Sequence, residues 1–295
     1  MGARPLEVSI IVPVYNEGER LRRTLEAIRE TAGAEYEVVV VDDGSTDGGC
    51  DFLRSGATGF ENVTLVEVEG RQGVAGARNL GAARARAPVL IFMDAHCVPR
   101  GGWLQRILAE LHQPDAGIVA PQISSLERPG ATTFGLTLRD KELGVEWLPR
   151  RGNEPYAVPL VGGGCMAMRR DFFDIMGGFE PMRSFGMEDV ELCIRCWLSG
   201  YTVTMVPEAE VAHLFKKDGF PVGWHDLLYN RLRTAVLHFE GPQLERILAC
   251  ARSKPSFPEA ACTLLASDIW ARYGLIRALR KRDAEWFCRR FEIEI

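Results

Sequence analysis

The chain has 295 residues, 46% of them hydrophobic and 25% charged, with a formal net charge of −5. That is an ordinary globular balance, long enough for one large domain or one domain with an appendage. It gives no electrostatic reason to expect nucleic acid, and no apolar run approaches the roughly 18–20 residues of a bilayer span.

Residues 1–7 hold no apolar signal-peptide core, so the expected compartment is the cytoplasm. There, eight cysteines read as reduced thiols rather than a disulfide framework. Cys193 and Cys196 form one C-x-x-C without a second pair, and core packing is the reading for both.

The elements follow in chain order. "VSIIVPV", residues 8–14, is a buried strand. "ERLRRTLEAIRETA" carries Leu21, Leu25 and Ile28 at helical spacing, and Gly33 closes it. "YEVVVVDD" is a second strand, and Ser45-Thr46-Asp47 is a cap-like cluster that should open a second helix. "NVTLVEVE" is a third strand, "GVAGARNLGAARA" a third helix and "PVLIFMD" a fourth strand. Strands alternate with helices and are apolar on both faces, the pattern of a mostly parallel sheet covered on both sides. Ligands bind such sheets at the carboxyl ends of the strands. Tyr15, Asn16, Glu17, Asp42, Asp43, Asp94 and His96 should therefore converge on one crevice.

Residues 122–160 read as irregular. The helix in "SFGMEDVELCIRCWLSGY" carries Glu188 and Asp189 at its N-terminus, and "TVTMVPEAEVAHLF" is a strand-like stretch ending on His213. Residues 224–240 are helical, with Trp224, Leu228, Leu232 and Val236 in register. Gly241-Pro242 breaks the chain, and residues 243–295 hold two or three helices.

Four clusters carry chemistry. "GVAGARNLG" lacks G-x-G-x-x-G and is no dinucleotide fingerprint. It reads as a helix packed closely through Gly76 and Gly81, with Arg78 directed to a phosphate or carboxylate. Asp43 can be a turn former or accept a hydrogen bond from a nucleobase or ribose. Asp94 and His96 follow a buried strand and should project from the same side of the pleat. Oxygen plus imidazole suits Mn²⁺, and a metal there can neutralise a diphosphate leaving group. His213 is the candidate third ligand; alone it would read as a core histidine. Glu188 and Asp189 offer capping, which needs one acid, or a general base for an acceptor hydroxyl.

Together these stretches resemble the GT-A glycosyltransferases, in particular family 2. "VSIIVPVYNEGERL", "VVVVDDGSTDGG", "GVAGARNLGAARA" and "LIFMDAHCVPRGGWL" match the nucleotide-sugar half in order and spacing. The usual D-x-D is D-A-H here, which resembles the animal polypeptide N-acetylgalactosaminyltransferases. "GGGCMAMRRDFFDIMGGFEPMRSFGMEDVELCIRCWLSGYTVTMVPEAEVAHLFKK" and "YNRLRTAVLHF" look like their C-terminal catalytic half and the related galactosyltransferases.

The resemblance covers about residues 7–240. It implies an α/β GT-A fold, a Rossmann-like nucleotide-sugar half (1–120) fused to a mixed-sheet acceptor half (121–240), with a helical extension over 241–295. It implies that Pro13, Tyr15, Glu17, Asp43, Arg78 and Asp94 line the nucleotide-sugar site, and that Gly162, Gly163 and Gly164 line the donor sugar. Asp94, His96 and His213 would hold Mn²⁺ or Mg²⁺. Asp189, with Glu188 beside it, would be the base, and Trp147 and Glu188 would face the acceptor.

The expected reaction is transfer from a UDP-sugar to a peptide side chain, a glycan, a lipid-linked intermediate or a small metabolite. The N-acetylgalactosaminyltransferases retain configuration and usually carry Glu-Asn where this chain has Glu188-Asp189. Inverting relatives carry Glu-Asp, so inversion is expected. Two other readings stand beside this one. A catalytically silent GT-A module would not need Asp94, His96, Asp189 and His213 together. A nucleotidyltransferase would carry a Gly-rich loop after the first strand, where this chain has "PVYNEGERL". The basic "LIRALRKRDAEWFCRR" reads as a solvated helix face or a peripheral contact with an anionic membrane.

Overall fold

The computed structural model describes residues 6–215 and 223–295. Lys216 and Lys217, which end one of the matching stretches, lie outside the described residues. The first half alternates as its hydrophobic pattern requires: β1 (Val8–Val14), α1 (Glu19–Thr31), β2 (Tyr36–Asp42), α2 (Asp51–Arg54), β3 (Val63–Glu67), α3 (Gly73–Arg84) and β4 (Val89–Met93). Then come β5 (Cys97–Pro99), α4 (Trp103–Leu111), β6 (Ala116–Ser125), β7 (Thr132–Thr133), β8 (Leu136–Leu138), β9 (Val145–Trp147), β10 (Tyr156–Ala157), β11 (Cys165–Arg169) and α5 (Arg170–Met176). The chain closes with α6 (Glu188–Leu198), β12 (Thr202–His213), α7 (Trp224–His238), α8 (Gly241–Ala251), α9 (Phe257–Leu265), α10 (Ile269–Leu279) and α11 (Ala284–Phe291).

The large sheet runs β10-β12-β6-β11-β4-β1-β2-β3. β1 pairs in parallel with β2 and β4, from Val8↔Tyr36 and Val8↔Val89. β11 lies between β4 and β6 and runs against both, with Cys165↔Met93 and Ala167↔Val119. This reversal brings the glycines just before β11 to the carboxyl end of β4, where the Asp94 N–H donates to the Gly164 carbonyl (3.1 Å). β12 pairs in parallel with β6, is irregular between Val206 and Glu210, and ends antiparallel to β5 with His213↔Cys97. The irregularity re-aims the strand and carries His213 to the turn that holds His96.

Leu21, Leu25 and Ile28 of α1 and Trp103 and Ile107 of α4 bury one face of the sheet. The other face packs on Ala77 and Ala82 of α3, Phe172 and Phe173 of α5, and Leu192 and Trp197 of α6. A satellite core joins α7, α9 and α10 through Leu232, Leu264 and Ile276. All eight cysteines are free, and Cys193 and Cys196 are both fully buried on α6, as the core reading requires. No helix among the described residues is long and apolar enough to cross a membrane.

Several local expectations are corrected. α2 is a single turn, because Ser45, Thr46 and Asp47 do not cap it. Instead, Asn16 and Gly18 donate backbone N–H bonds to Ser45 Oγ and Asp47 Oδ2, and Asn16 Oδ1 accepts from the Thr46 N–H. The segment 122–160 is not irregular throughout: β6 continues past Pro121, and β8 pairs with β9. Trp224 starts α7 but is 77% exposed, outside the register of Leu228 and Leu232. Residues 241–295 form four helices, with Gly241-Pro242 opening the first of them.

Gly76 faces its own Gln72 rather than the sheet, whereas Gly81 does make the close approach. A Cβ at Gly81 would lie 2.4 Å from Ile11 Cγ2 and 3.1 Å from Val41 Cγ2. Gly81→Ala should therefore destabilise the fold by about 1–3 kcal/mol, the usual cost of overpacking, despite its better helix propensity. A urea melt reads this directly; an unchanged midpoint would mean that the sheet relaxes around the methyl.

Candidate active site

Two connected hollows open at the carboxyl ends of β1, β2 and β4. The first is a slot bordered by Pro13, Tyr15, Glu17 and Asp43 that reaches Asp94 and His96. Arg71 covers the Tyr15 ring at 3.5 Å. Asp43 accepts from the backbone N–H groups of Gln72 (2.6 Å) and Gly73 (3.0 Å), so it fixes the start of α3. The turn-former role is thus present, and the residue still faces the slot.

Where the slot ends, Asp94, His96 and His213 gather, with one ligand atom from each lying within 4.8 Å of the others. They do not meet through the pleat of a strand. β4 stops at Met93, and Asp94 to Cys97 form a turn closed by Cys97 N–H donating to the Asp94 carbonyl (3.2 Å). His213 Nε2 lies 3.3 Å from Asp94 Oδ2, and the two imidazole rings are 4.6 Å apart. Glu17 Oε1 stands 3.3 Å from His96 Nδ1, a contact of the kind that orients a ligating imidazole. Burial opposes the Asp94 charge, but His213, Arg78 and His96 outweigh it and hold the carboxyl well below the usual carboxylate range. One ionised oxygen ligand and two imidazoles fit Mn²⁺.

Arg78 is the hub beside them. It is 1% exposed, and its Nη2 donates to Asp94 Oδ1 (3.0 Å) and the Gly163 carbonyl (2.7 Å), while Nη1 donates to Glu188 Oε1 (3.2 Å). The sequence reading allowed a phosphate or a carboxylate as its target; the structure gives it two carboxylates. A Cβ at Gly163 would lie 2.7 Å from Arg78 Nη2, and one at Gly164 would lie 3.1 Å from His213 Cδ2. Glycine is what allows the guanidinium and the imidazole this close to the backbone.

Beyond the cluster of Asp94, His96 and His213 lies a cavity of about 290 Å³, with Asp94, His213, Glu188 and Asp189 on its polar side. Ile123, Leu136, Trp147 and Phe215 line its apolar side. Trp147 packs on Phe215 (4.9 Å), which packs on His213 (4.6 Å). The turn into α6 uses positive φ at Gly186 and Met187 and presents both acids at the helix start. Glu188 is almost fully buried, and both its oxygens are engaged, by Arg78 and by the Gly186 N–H (2.9 Å). Asp189 accepts from the N–H groups of Gly163 and Val190, both at 2.7 Å, and is mostly buried in the cavity wall. Burial raises both carboxyls above their ordinary values, and repulsion from Asp189 adds to the rise at Glu188.

Of the residues expected at the crevice, all but Asn16 and Asp42 border the two hollows. Asp42 instead pairs with Arg54 (2.7 Å) and accepts from the Ser45 N–H (2.9 Å), and Asn16 Oδ1 accepts from the Thr46 N–H (2.8 Å), so both serve the loop structure. Sequence reasoning missed Arg71, Phe215 and Phe185, the last of which lines both hollows. Arg71 had a signal, two residues before the Gly-rich helix; the aromatics had none beyond their type.

Residues 9–176 match the family described as glycosyl transferase family 2, and residues 152–217 match the N-terminal domain of galactosyltransferase. Polypeptide N-acetylgalactosaminyltransferase 11 of Xenopus tropicalis is 29% identical over 77% of this chain and 42% of its own length. Polypeptide N-acetylgalactosaminyltransferase 12 of Mus musculus is 28% identical over 95% of this chain and 51% of its own. The chain thus spans about half, or less, of these relatives. Among solved structures, GalNAc-T7 with UDP, GalNAc and Mn²⁺ superposes with a TM-score of 0.83 at 22% identity, over 97% of this chain and 56% of that one. The mannosyltransferase PcManGT from Pyrobaculum calidifontis, in complex with GDP-Man and Mn²⁺, gives 0.57 at 23% identity, over 97% and 83%. The fold is GT-A, and the family match, over more than half of the sequence, makes this chain a member of glycosyl transferase family 2.

Proposed function

We propose that the chain is a metal-dependent glycosyltransferase that moves a sugar from a UDP-sugar to an acceptor hydroxyl with inversion. The observation that carries this is the shared cavity: Asp189 opens onto the same space as Asp94, His96 and His213. The relatives are named for N-acetylgalactosamine transfer to polypeptides, and one similar structure holds UDP and Mn²⁺.

On this reading the slot takes the nucleoside, with Tyr15, Asp43 and Arg71 around it. Asp94, His96 and His213 hold the metal, which when bound stabilises the charge of the departing diphosphate. Arg78 keeps Asp94 ionised and Glu188 in place. Asp189 takes the proton from the acceptor hydroxyl, whose oxygen attacks the anomeric carbon from the face opposite the leaving diphosphate. The apolar wall of Trp147, Phe215 and Ile123 favours an acceptor hydroxyl carried on an apolar frame, such as a peptide side chain.

A base must be ionised to act. Since burial holds the Asp189 carboxyl above its ordinary value, kcat/KM for transfer should fall as pH drops through that raised value and stay level above it. A panel of UDP-sugars, followed by the anomeric configuration of the product, tests the reading. Retained configuration or a flat acid limb would remove Asp189 from the base role.

A further inference from the structure

The turn between α10 and α11 plays no part in the proposed reaction. Arg277, Arg280, Lys281, Arg282 and Arg289 surround a groove there of about 490 Å³. It shares no lining residue with the two hollows of the active site. The chain as a whole is negative, so this positive charge is a local concentration. Three carboxylates stand against it, and all are occupied; the exposed Glu285 meets Arg289 at 3.8 Å. Asp283 caps α11 by accepting from the Trp286 N–H (2.6 Å), and Glu240 is shared between Arg277 and Arg280.

A solvated basic face leaves its head groups in water. Arg280 does not follow that pattern, because its side chain is 8% exposed. Its Nη2 donates to the Leu237 and His238 carbonyls at the end of α7, and Nη1 meets Glu240 at 3.5 Å. Its Nε has no hydrogen-bond partner among the described residues. Burial and the adjacent Arg277 push the guanidinium down to about 10, against the opposing pull of Glu240 and Asp283. Desolvating a cation without full pairing costs stability, and an anion entering the groove would recover it. Trp286 forms one wall, with Arg282 over its ring at 4.2 Å. Forked guanidinium donors match phosphate oxygens best.

We propose that this groove is a second anion site, which binds a phosphate-class group through Arg277, Arg280, Lys281 and Arg289. The group can belong to a lipid headgroup or be free in solution. Trp270, Tyr273 and Arg277 share one face of α10 at i, i+3 and i+7. Trp270 is 59% exposed, and Arg277 lies 5.0 Å over the Tyr273 ring. An aromatic and basic stripe of this kind suits the headgroup zone of a membrane.

The test uses the whole chain in metal-free buffer, so that the active-site cluster does not contribute. Inorganic phosphate is titrated by calorimetry, and vesicles of phosphatidylcholine, with and without phosphatidylglycerol, are co-sedimented with the protein. The comparison protein is the double variant Lys281→Glu with Arg289→Glu. Both positions are exposed, and an unchanged melting temperature shows that the variant folds. Each basic side chain near an anionic surface is worth about fivefold in binding, so the two reversals should weaken it by at least about tenfold. Wild-type binding of phosphate, lost in the variant, establishes the site with a free ligand. Binding of the phosphatidylglycerol vesicles without measurable phosphate binding, again lost in the variant, establishes a headgroup. No binding of either probe by the wild type, or equal binding by both proteins, overturns the proposal.

Discussion

Asp189→Asn should lower the transfer rate by about 10²–10⁴-fold while leaving UDP affinity almost unchanged. The asparagine keeps the side-chain shape and one of the two accepted N–H bonds, since Gly163 and Val190 donate to different oxygens of Asp189 and an amide has a single acceptor oxygen. An unchanged melting temperature is the check that the cavity holds its form. What it loses is the ability to take a proton. The effect belongs in kcat rather than in donor binding, because Asp189 does not line the nucleoside slot. Glu188→Gln is the informative companion. Both Glu188 oxygens are already engaged, by Arg78 and Gly186, so its loss disturbs the Arg78 hub and should affect metal binding as well as rate. If Asp189→Asn turned over at the wild-type rate, Asp189 would not be the base, and the configuration of the product would then separate a retaining reaction from one that uses another base.

The largest stability effect is expected at a residue outside the active site. Glu180 is fully buried and accepts from Arg233 Nε and Nη2 (3.0 and 2.8 Å) and from Arg272 Nε (2.8 Å), with Arg195 Nη1 at 4.0 Å. These arginines come from α7, α10 and α6, so one carboxylate ties the C-terminal helices to the catalytic half. Glu180→Gln removes the charge and leaves the guanidinium groups short of a counter-ion, which costs about 3–5 kcal/mol when a buried pair is broken. The exposed pair Glu19–Arg22 is the control, since Glu19→Gln should cost well under about 1 kcal/mol. Urea melts of both variants decide it. Equal midpoints would mean that apolar packing alone holds the helices, and faster proteolysis within 241–295 of the Glu180 variant would locate the loss.

How much of this was legible in the sequence follows from the physics of each element. β1, β2 and β4 are short runs of apolar residues, apolar on both faces, the pattern of central strands in a sheet covered on both sides. The chemistry-bearing residues announced themselves as polar groups at the ends of those runs, and Asp94, His96 and His213 do meet. How they meet was not legible. Asp94 and His96 converge through a turn, and His213 arrives because the end of β12 pairs with β5 while it stays paired with β6. Such pairings are long-range and leave no local period. The same holds for β11, whose antiparallel insertion delivers Gly163 and Gly164 to Arg78 and His213. Ser45 and Asp47 had capping chemistry, but tertiary partners in the loop after β1 claimed it, and α2 shrank to one turn. The basic run before α11 gave its charge but not the burial of Arg280, which depends on the end of α7.

The most direct test of the central claim is a calorimetric titration of the purified chain with UDP, with and without Mn²⁺, repeated on His213→Ala. The account predicts UDP binding that requires Mn²⁺ and weakens sharply when His213 is removed. UDP binding indifferent to the metal, or Mn²⁺-dependent binding unaffected by His213→Ala, would contradict a metal-held diphosphate at Asp94, His96 and His213.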